Sequence, residues 1–441
     1  MDKAAEIVER HFAVRNRELL LGGIGVTELV RIYGTPLFVY DTSVLQRKLT
    51  ALRSALGTRF SIHYSVKANP NLHLLKFFLE NGCGLEIASL GELHQALSAG
   101  CPAHKIIFAG PGKTEAELQA AAAAGIGEIH VESATEVRRL GLIAAKLGRP
   151  IPVSIRVNPS AEAQGGAMRM GGKPAPFGID EEQLEPVLKQ IMRETGLALH
   201  GIHLFTGTQI LDASILITQY RKAIEIARRV VELTGIQLTT VDFGGGLGIP
   251  YFSNDNELDL SAVSSGISEL MREIEQDPVF RGTSFVVEPG RFLVGESGVY
   301  ITQVSDVKES RGKKFVIVDG GMHHHLAASG NLGQTIKRNY PVAVLNKVNA
   351  EQTGAVEVVG PLCTPLDVLA RNVSLPPVAI GDLIGVFQSG AYARAASPLN
   401  FLSHPAPAEV IVDHGQHRLI RRRGSVEDYT RDIEKQVVAT A

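Results

Sequence analysis

Two hydrophobic periods alternate along the first two-thirds of the chain. Short runs rich in β-branched and aromatic residues lie at 61–68 (SIHYSVKA), 84–89 (GLEIAS), 106–110 (IIFAG) and 128–133 (EIHVES). Four more follow at 152–158 (PVSIRVN), 199–207 (LHGIHLFTG), 240–246 (TVDFGGG) and 283–290 (TSFVVEPG). Between them apolar residues recur at helical spacing, as in 71–82, 114–125 and 215–235. Ser133–Glu136 reads S-A-T-E, a capping box, and Gly82, Gly100, Gly125 and Gly148 fall where helix C-caps belong. This α/β alternation predicts a parallel (β/α)8 barrel over 41–295. A helix at 43–56 precedes the first strand and would fill the ring position after the eighth. A doubly wound open sheet is the competing architecture.

After about residue 296 the period changes. Strand-like runs at 299–310, 314–322, 341–346, 357–363, 381–392, 408–412 and 418–423 follow one another without long helices. They predict a C-terminal β domain over 296–441, joined by the N-terminal segment 1–40 through a strand at Pro36–Tyr40. The Gly- and Met-rich stretch 159–178 has no clear period and reads as a long loop after strand five.

Composition narrows the class. The 441 residues carry a net charge of −2, which offers no general pull toward nucleic acid or anionic membrane. No apolar run is long enough to span a bilayer, and the charged start lacks a signal peptide's apolar core. Cys83, Cys101 and Cys363 are too few and scattered for a disulfide framework or a Cys-based zinc site. A cytoplasmic protein is expected.

The chemistry-bearing residues fall at the C-terminal ends of the predicted strands, the catalytic face of such barrels. Lys67 closes the first strand. It is either a snorkelling rim lysine or a Schiff-base lysine whose partly desolvated amine is nucleophilic near neutral pH. The turn Gly244–Gly248 after strand seven lets backbone N–H groups approach an anion. Glu288-Pro-Gly-Arg291 ends strand eight. The carboxylate there suits a general base, an ion pair or a partner for a cofactor ring nitrogen, and Arg291 suits a phosphate or a substrate carboxylate. Phe205 offers a flat face and Thr208 a phosphate donor. His203 is expected to be a satisfied core histidine. His323, His324 and His325 tempt as metal ligands, but adjacent strand residues point to opposite faces, so no metal site is predicted.

The motifs YSVKANP, GLEIAS-x-GEL, FAGPGKT, RVNP, FGGGLG, EPGR, GPLC and SGAY occur in this order. Over about 30–424 the chain resembles the fold-type III pyridoxal-phosphate-dependent decarboxylases, which act on diaminopimelate, ornithine or arginine. The resemblance implies pyridoxal 5′-phosphate carried on Lys67. Glu288 would pair with the ring nitrogen. Thr208, Gly244, Gly245, Gly246, Gly290, Arg291 and Tyr392 would lie at the cofactor, chiefly around its phosphate, with Phe205 stacked on the ring. It also implies a homodimer with shared sites, where Cys363 reaches into the partner's site and supplies a proton.

The departures from the family pattern bear on substrate. A stacking histidine is common where Phe205 stands. An acid that grips a distal amine usually follows the cysteine, and here it is the neutral Thr364. Losing that charge-assisted bond costs roughly 1.5–3 kcal/mol. HHHLAASGN (His323–Asn331) replaces an Arg-Pro-Ala-Leu-Tyr segment, so the three histidines, with Arg291 and Thr364, become candidates for substrate contact. The narrower motifs M-x-M-GG-x-P-x-x-FG (Met168–Gly178), DGGMHHH and GPLCTP resemble decarboxylases of glutamyl groups on acyl-carrier proteins in butirosin-type pathways, and exosortase-associated relatives. The expected activity is therefore decarboxylation of a specialised amino acid, glutamyl-like and carrier-tethered. A true meso-diaminopimelate decarboxylase, a racemase and a non-catalytic cofactor-binding protein are the alternatives. Glu288 opposes the racemase, whose ring-nitrogen partner is an arginine.

Overall fold

The computed structural model describes residues 2–160, 168–169, 174–334 and 336–433. The expected loop at 159–178, with the motif Met168–Gly178, lies largely outside these residues. The chain divides into two compact units, Gln46–Pro250 with Asp255–Val294, and Met1–Leu45 with Tyr251–Asn254 and Gly295–Ala441. No helix among the described residues is long and apolar enough to cross a membrane.

In the first unit eight parallel strands form a barrel: β1 (Phe60–Ser65), β2 (Gly84–Ile87), β3 (Ile106–Phe108), β4 (Glu128–Val131), β5 (Ile151–Asn158), β6 (Leu197–Leu204), β7 (Thr240–Asp242) and β8 (Ser284–Val287). Pairing of β8 with β1 (Phe285↔Phe60) and of β4 with β5 (Ile129↔Val153) closes it, which removes the open-sheet alternative. Helices such as Leu72–Glu80, Ala134–Leu147 and Ala213–Thr234 connect the strands. The helix Thr42–Leu56 precedes β1, and its Lys48 Nζ lies 3.9 Å from the centre of the Phe292 ring just after β8.

Local signals worked unevenly. Gly125 and Gly148 cap helices in the left-handed conformation. Ser133 accepts the Glu136 N–H at 3.1 Å, but the expected capping box is not reciprocal. The Glu136 carboxylate turns instead to the Glu132 N–H and to buried Lys113. A full capping box forms at Thr114 and Glu117.

The barrel interior is polar, not the usual branched-apolar filling. Ile129 and Val131, Val153 and Ile155, and Ile202 and Leu204 are buried on one strand face. Glu128 and His130, Ser154 and Arg156, and His203 alternate with them and are also buried. The His130 and His203 rings, on strands that are not neighbours, lie 4.5 Å apart, so this polar face points inward.

In the second unit a sheet runs in the order Val368–Leu375, Gly354–Val359, Lys313–Val318, Gly298–Ser310, Leu37–Asp41, Ala408–Asp413, Gln416–Arg421. Leu383–Val386 pairs with both Gly298–Ser310 and Val342–Val344. Leu37–Asp41 is antiparallel to Gly298–Ser310 and parallel to Ala408–Asp413. Leu37, Val39, Val299, Ile301, Val410 and Val412 build its core with Ala4, Ile7 and Val8 of the helix Lys3–His11. That helix, the small sheet Ala13–Arg15, Glu18–Leu21 and Ile24–Gly25, and the strand Val368–Leu375 are elements the hydrophobic pattern did not reveal.

Candidate active site

The first strand stops at Ser65 because Val66–Ala68 turns into a short 3-10 helix, and that turn presents Lys67. The Lys67 side chain is 44 % exposed, and Nζ pairs with Glu86 Oε1 at 2.9 Å and Oε2 at 3.0 Å. Glu86 is fully buried at the end of β2 and also accepts the Ser65 hydroxyl. Gly290 packs directly against this turn. A Cβ there would stand 2.8 Å from Ala68 Cβ, so the Glu288–Arg291 turn reaches the neighbourhood of Lys67 only with glycine at 290. Arg291, half-buried, begins the helix Arg291–Val294.

The loops after β6 and β7 are joined. The Ile210 N–H donates to the Gly246 carbonyl at 2.9 Å, and the Gly248 N–H to the Ile210 carbonyl at 2.9 Å. Gly244 and Gly246 take φ of 65° and 98°, and a Cβ on Gly245 would meet the Glu288 carbonyl oxygen at 2.6 Å. Phe205, half-buried, lies along Gly244 and Gly245. Thr208, also half-buried, pairs through its backbone with Met168.

Glu288 is 5 % exposed. Its Oε2 is 3.3 Å from His203 Nε2, while Oε1 has no hydrogen-bond partner among the described residues. Burial opposes its ionisation, but His203, His130 and Lys67 outweigh burial and hold the carboxyl below its usual range. Burial lowers His203 to about 4, against the pull of Glu288. His203 is therefore not the satisfied core histidine expected, since neither ring nitrogen makes an aligned hydrogen bond among the described residues. Glu92, near Glu86, is pushed up to about 7 by burial and by the Glu86 charge. Sequence reasoning gave no role to Glu86, Glu92, His130 or Asp242. The signal was present in E-I-H-V-E and G-L-E-I, where charged residues alternate with apolar ones inside a strand.

Cys363, Thr364, Tyr392 and the three histidines belong to the sheet unit. Cys363 is exposed on the loop before Asp367. The buried Asp367 carboxylate ties that loop down, accepting the Leu362 N–H at 2.9 Å and the Met322 N–H at 2.6 Å. Thr364 turns its hydroxyl to the Leu366 N–H at 3.3 Å. Tyr392 sits half-buried at φ 53°. The premise that His323–His325 lie on a strand is corrected. The His324 and His325 N–H groups both return to the Gly321 carbonyl, forming a turn. All three rings are buried, His324 Nδ1 3.0 Å from the Tyr300 hydroxyl and His325 Nε2 3.0 Å from Ser389 Oγ.

In the barrel unit three features fit pyridoxal phosphate. A buried carboxylate oxygen has no donor among the described residues, a glycine turn admits no Cβ, and an amine lies near the turn that precedes Arg291.

The comparisons agree along the chain. Residues 42–295 match the family model described as pyridoxal-dependent decarboxylase, pyridoxal binding domain. The chain is 39 % identical to the L-glutamyl-[BtrI acyl-carrier protein] decarboxylase of Niallia circulans over 91 % of this chain and 94 % of that one. It is 34 % identical to the diaminopimelate decarboxylase of Aquifex aeolicus over 95 % and 96 %. The crystal structure of the M. jannaschii diaminopimelate decarboxylase with L-lysine superposes with a TM-score of 0.89 at 26 % identity, covering 97 % and 98 %. Relatives named as decarboxylases across nearly the whole length set aside a non-catalytic reading. The chain thus belongs to the pyridoxal-phosphate-dependent decarboxylases of the ornithine and diaminopimelate family, and it is a carboxy-lyase.

Proposed function

We propose that the chain removes the α-carboxylate of a glutamyl-type amino acid held on an acyl-carrier protein. The observation that carries this reading is Thr364. The residue after Cys363 has no charge, and its hydroxyl is turned into its own loop, so it gives a substrate's distal ammonium no anionic partner. The similarity to the carrier-dependent enzyme of Niallia circulans supports the same substrate class.

Lys67 Nζ is the amine that carries the cofactor, with Glu86 fixing its position. When bound, pyridoxal phosphate supplies a conjugated ring that takes up the electron pair left by C–C cleavage. Glu288 would hold a proton on the ring nitrogen, a role that requires its carboxyl to be ionised at neutral pH. Gly244, Gly245, Gly246, Thr208 and Arg291 would hold the phosphate, Gly290 lets the Arg291 turn approach, and Phe205 would offer its face to the ring. Cys363 Sγ, contributed by a second copy in a homodimer, delivers the proton to the substrate carbon. The buried His323, His324 and His325 pack the sheet unit and are assigned no substrate contact.

The test measures CO₂ release by the purified protein with pyridoxal phosphate. Free meso-diaminopimelate, ornithine, arginine and lysine are compared with glutamate tethered to a carrier protein. Release from the tethered substrate alone is the expected result. Fast turnover of free meso-diaminopimelate sinks the carrier reading and makes this a lysine-pathway enzyme. Normal turnover by Lys67→Ala would overturn the assignment of that residue.

A further inference from the structure

We propose that Asp242 is a positioning residue that stays protonated in the folded protein, leaving the negative charge of the Asp242–Glu288 pair on Glu288, while its second oxygen pins the glycine turn. The functional half of this assignment rests on the reading that Glu288 and Gly244–Gly246 hold the cofactor.

His130, His203, Asp242 and Glu288 come from β4, β6, β7 and the end of β8 into one buried space, with a polar atom of each within 4.8 Å of the others. Two carboxyl groups this close in a dry space do not both ionise unless a cation pairs with them. The nearby cations are engaged elsewhere, Lys67 with Glu86 and Arg156 with Glu132 at 2.7 Å. The other titratable groups facing the chamber are His63 from β1 and Glu128 from β4. One proton is therefore shared between Asp242 and Glu288.

The surroundings decide which carboxyl takes it. Glu288 has the His203 ring at 3.3 Å and feels the Lys67 charge. The nearest ring to Asp242 is farther, with His130 Nε2 3.9 Å from Oδ2, and Oδ2 has no hydrogen-bond partner among the described residues. Burial and the Glu288 charge push the Asp242 carboxyl well above its ordinary range.

The same side chain links two parts of the site. Asp242 Oδ1 accepts the Gly244 N–H at 2.8 Å, and the Gly244 carbonyl accepts the Glu288 N–H at 2.8 Å. One glycine residue thus connects the turn to the strand end that carries Glu288. Asparagine reproduces a neutral carboxyl at this position, with a carbonyl oxygen for Gly244 and a donor in place of the acid hydroxyl. Alanine supplies neither.

The experiment compares D242N and D242A as apoproteins titrated with pyridoxal phosphate and with pyridoxal, which lacks the phosphate. D242N is expected to keep its affinity for pyridoxal phosphate within about threefold of wild type, and D242A to lose at least about tenfold. D242A should lose less for pyridoxal. The wild-type minus D242N infrared difference spectrum at neutral pH should show the C=O band of a protonated carboxyl, a readout that does not need D242A to fold. A difference spectrum with only ionised-carboxylate bands, or D242N impaired as severely as D242A, overturns the proposal. A protonated band with pyridoxal phosphate affinity unchanged in both variants overturns the cofactor-holding reading of the turn and leaves the proton assignment standing.

Discussion

Glu288 is 5 % exposed among three other buried ionisable side chains, whereas Cys363 stands exposed on a loop whose only buried anchor described above is Asp367. The two regions order different things. In the barrel, the buried carboxylate and the glycine turn proposed to hold the cofactor are themselves fixed. Glycines at 244–246 and 290 approach their neighbours too closely for a Cβ to fit easily, and hydrogen bonds link the loops after β6 and β7 to the end of β8. In the sheet unit the fixed residue lies beneath the loop, and the thiol it supports is left accessible. A group that holds a charge in place works best dry and preorganised, because water would screen it. A group that must meet each new substrate has to remain reachable.

Substitutions in the two regions should therefore fail differently. Glu288→Gln keeps the shape and removes the charge. It should lower kcat by about 10²–10³-fold, the effect of losing one preorganised electrostatic contact, while pyridoxal phosphate still binds. A kcat close to wild type would mean that the chamber's charge is not used. Cys363→Ala should cost about 10²-fold in kcat, a usual size for a lost proton donor, and leave cofactor affinity unchanged. Weaker cofactor binding in that variant would collapse the distinction between holder and donor. Thr364→Glu sharpens it in the other direction. Returning an acid next to the thiol should raise kcat/KM for a free diamino acid by about tenfold, seen by CO₂ release, with the barrel site untouched.

The smallest effect concerns acid stability. Burial lowers His323 to about 4, His324 to about 2 and His325 to about 3 in the sheet unit, and His63 and His203 to about 4 in the barrel. Below about pH 6.5 the unfolded chain takes up protons that these folded, neutral rings refuse, so stability falls as pH falls toward 4. Each ring contributes up to about 1.4 kcal/mol per pH unit in that window. Asp242 acts with the opposite sign. Its raised folded-state value means the fold already holds a proton that the unfolded chain binds only at lower pH, which partly offsets the barrel's loss. Hydrogen exchange at pH 7, 6 and 5 should show protection declining faster in the sheet unit. An equal decline would show that the three histidines are not held neutral by burial.

The eight barrel strands were legible because each carries a run of β-branched or aromatic residues bounded by turn residues, as SIHYS and PVSIRVN do. Lys67, Glu288 and the glycine turn were legible because strand ends in a barrel converge on one face. The polar interior was not read, although His130 and His203 alternate with apolar neighbours. Alternation in a single strand does not say which face is core when helices cover the other. Val368–Leu375 was missed because R-N-V-S-L exposes every other residue, sits before Pro376 and contains Asn372 at φ 48°. The tripeptide His323–His325 looked like a strand because it continues V-I-V-D, but the chain turns at Gly321.

Leu37–Asp41 has consequences for the order in which the molecule is made. On a ribosome this strand emerges before the barrel strands, yet both of its sheet neighbours, Gly298–Ser310 and Ala408–Asp413, are synthesised after the entire barrel. During synthesis its two hydrogen-bonding edges must wait while more than half the chain is made. A nascent chain halted before residue 298 holds every barrel strand but neither sheet neighbour of Leu37–Asp41. The sheet unit is therefore completed only after the barrel strands have been made, and Cys363, carried on it, is set in place later than the barrel.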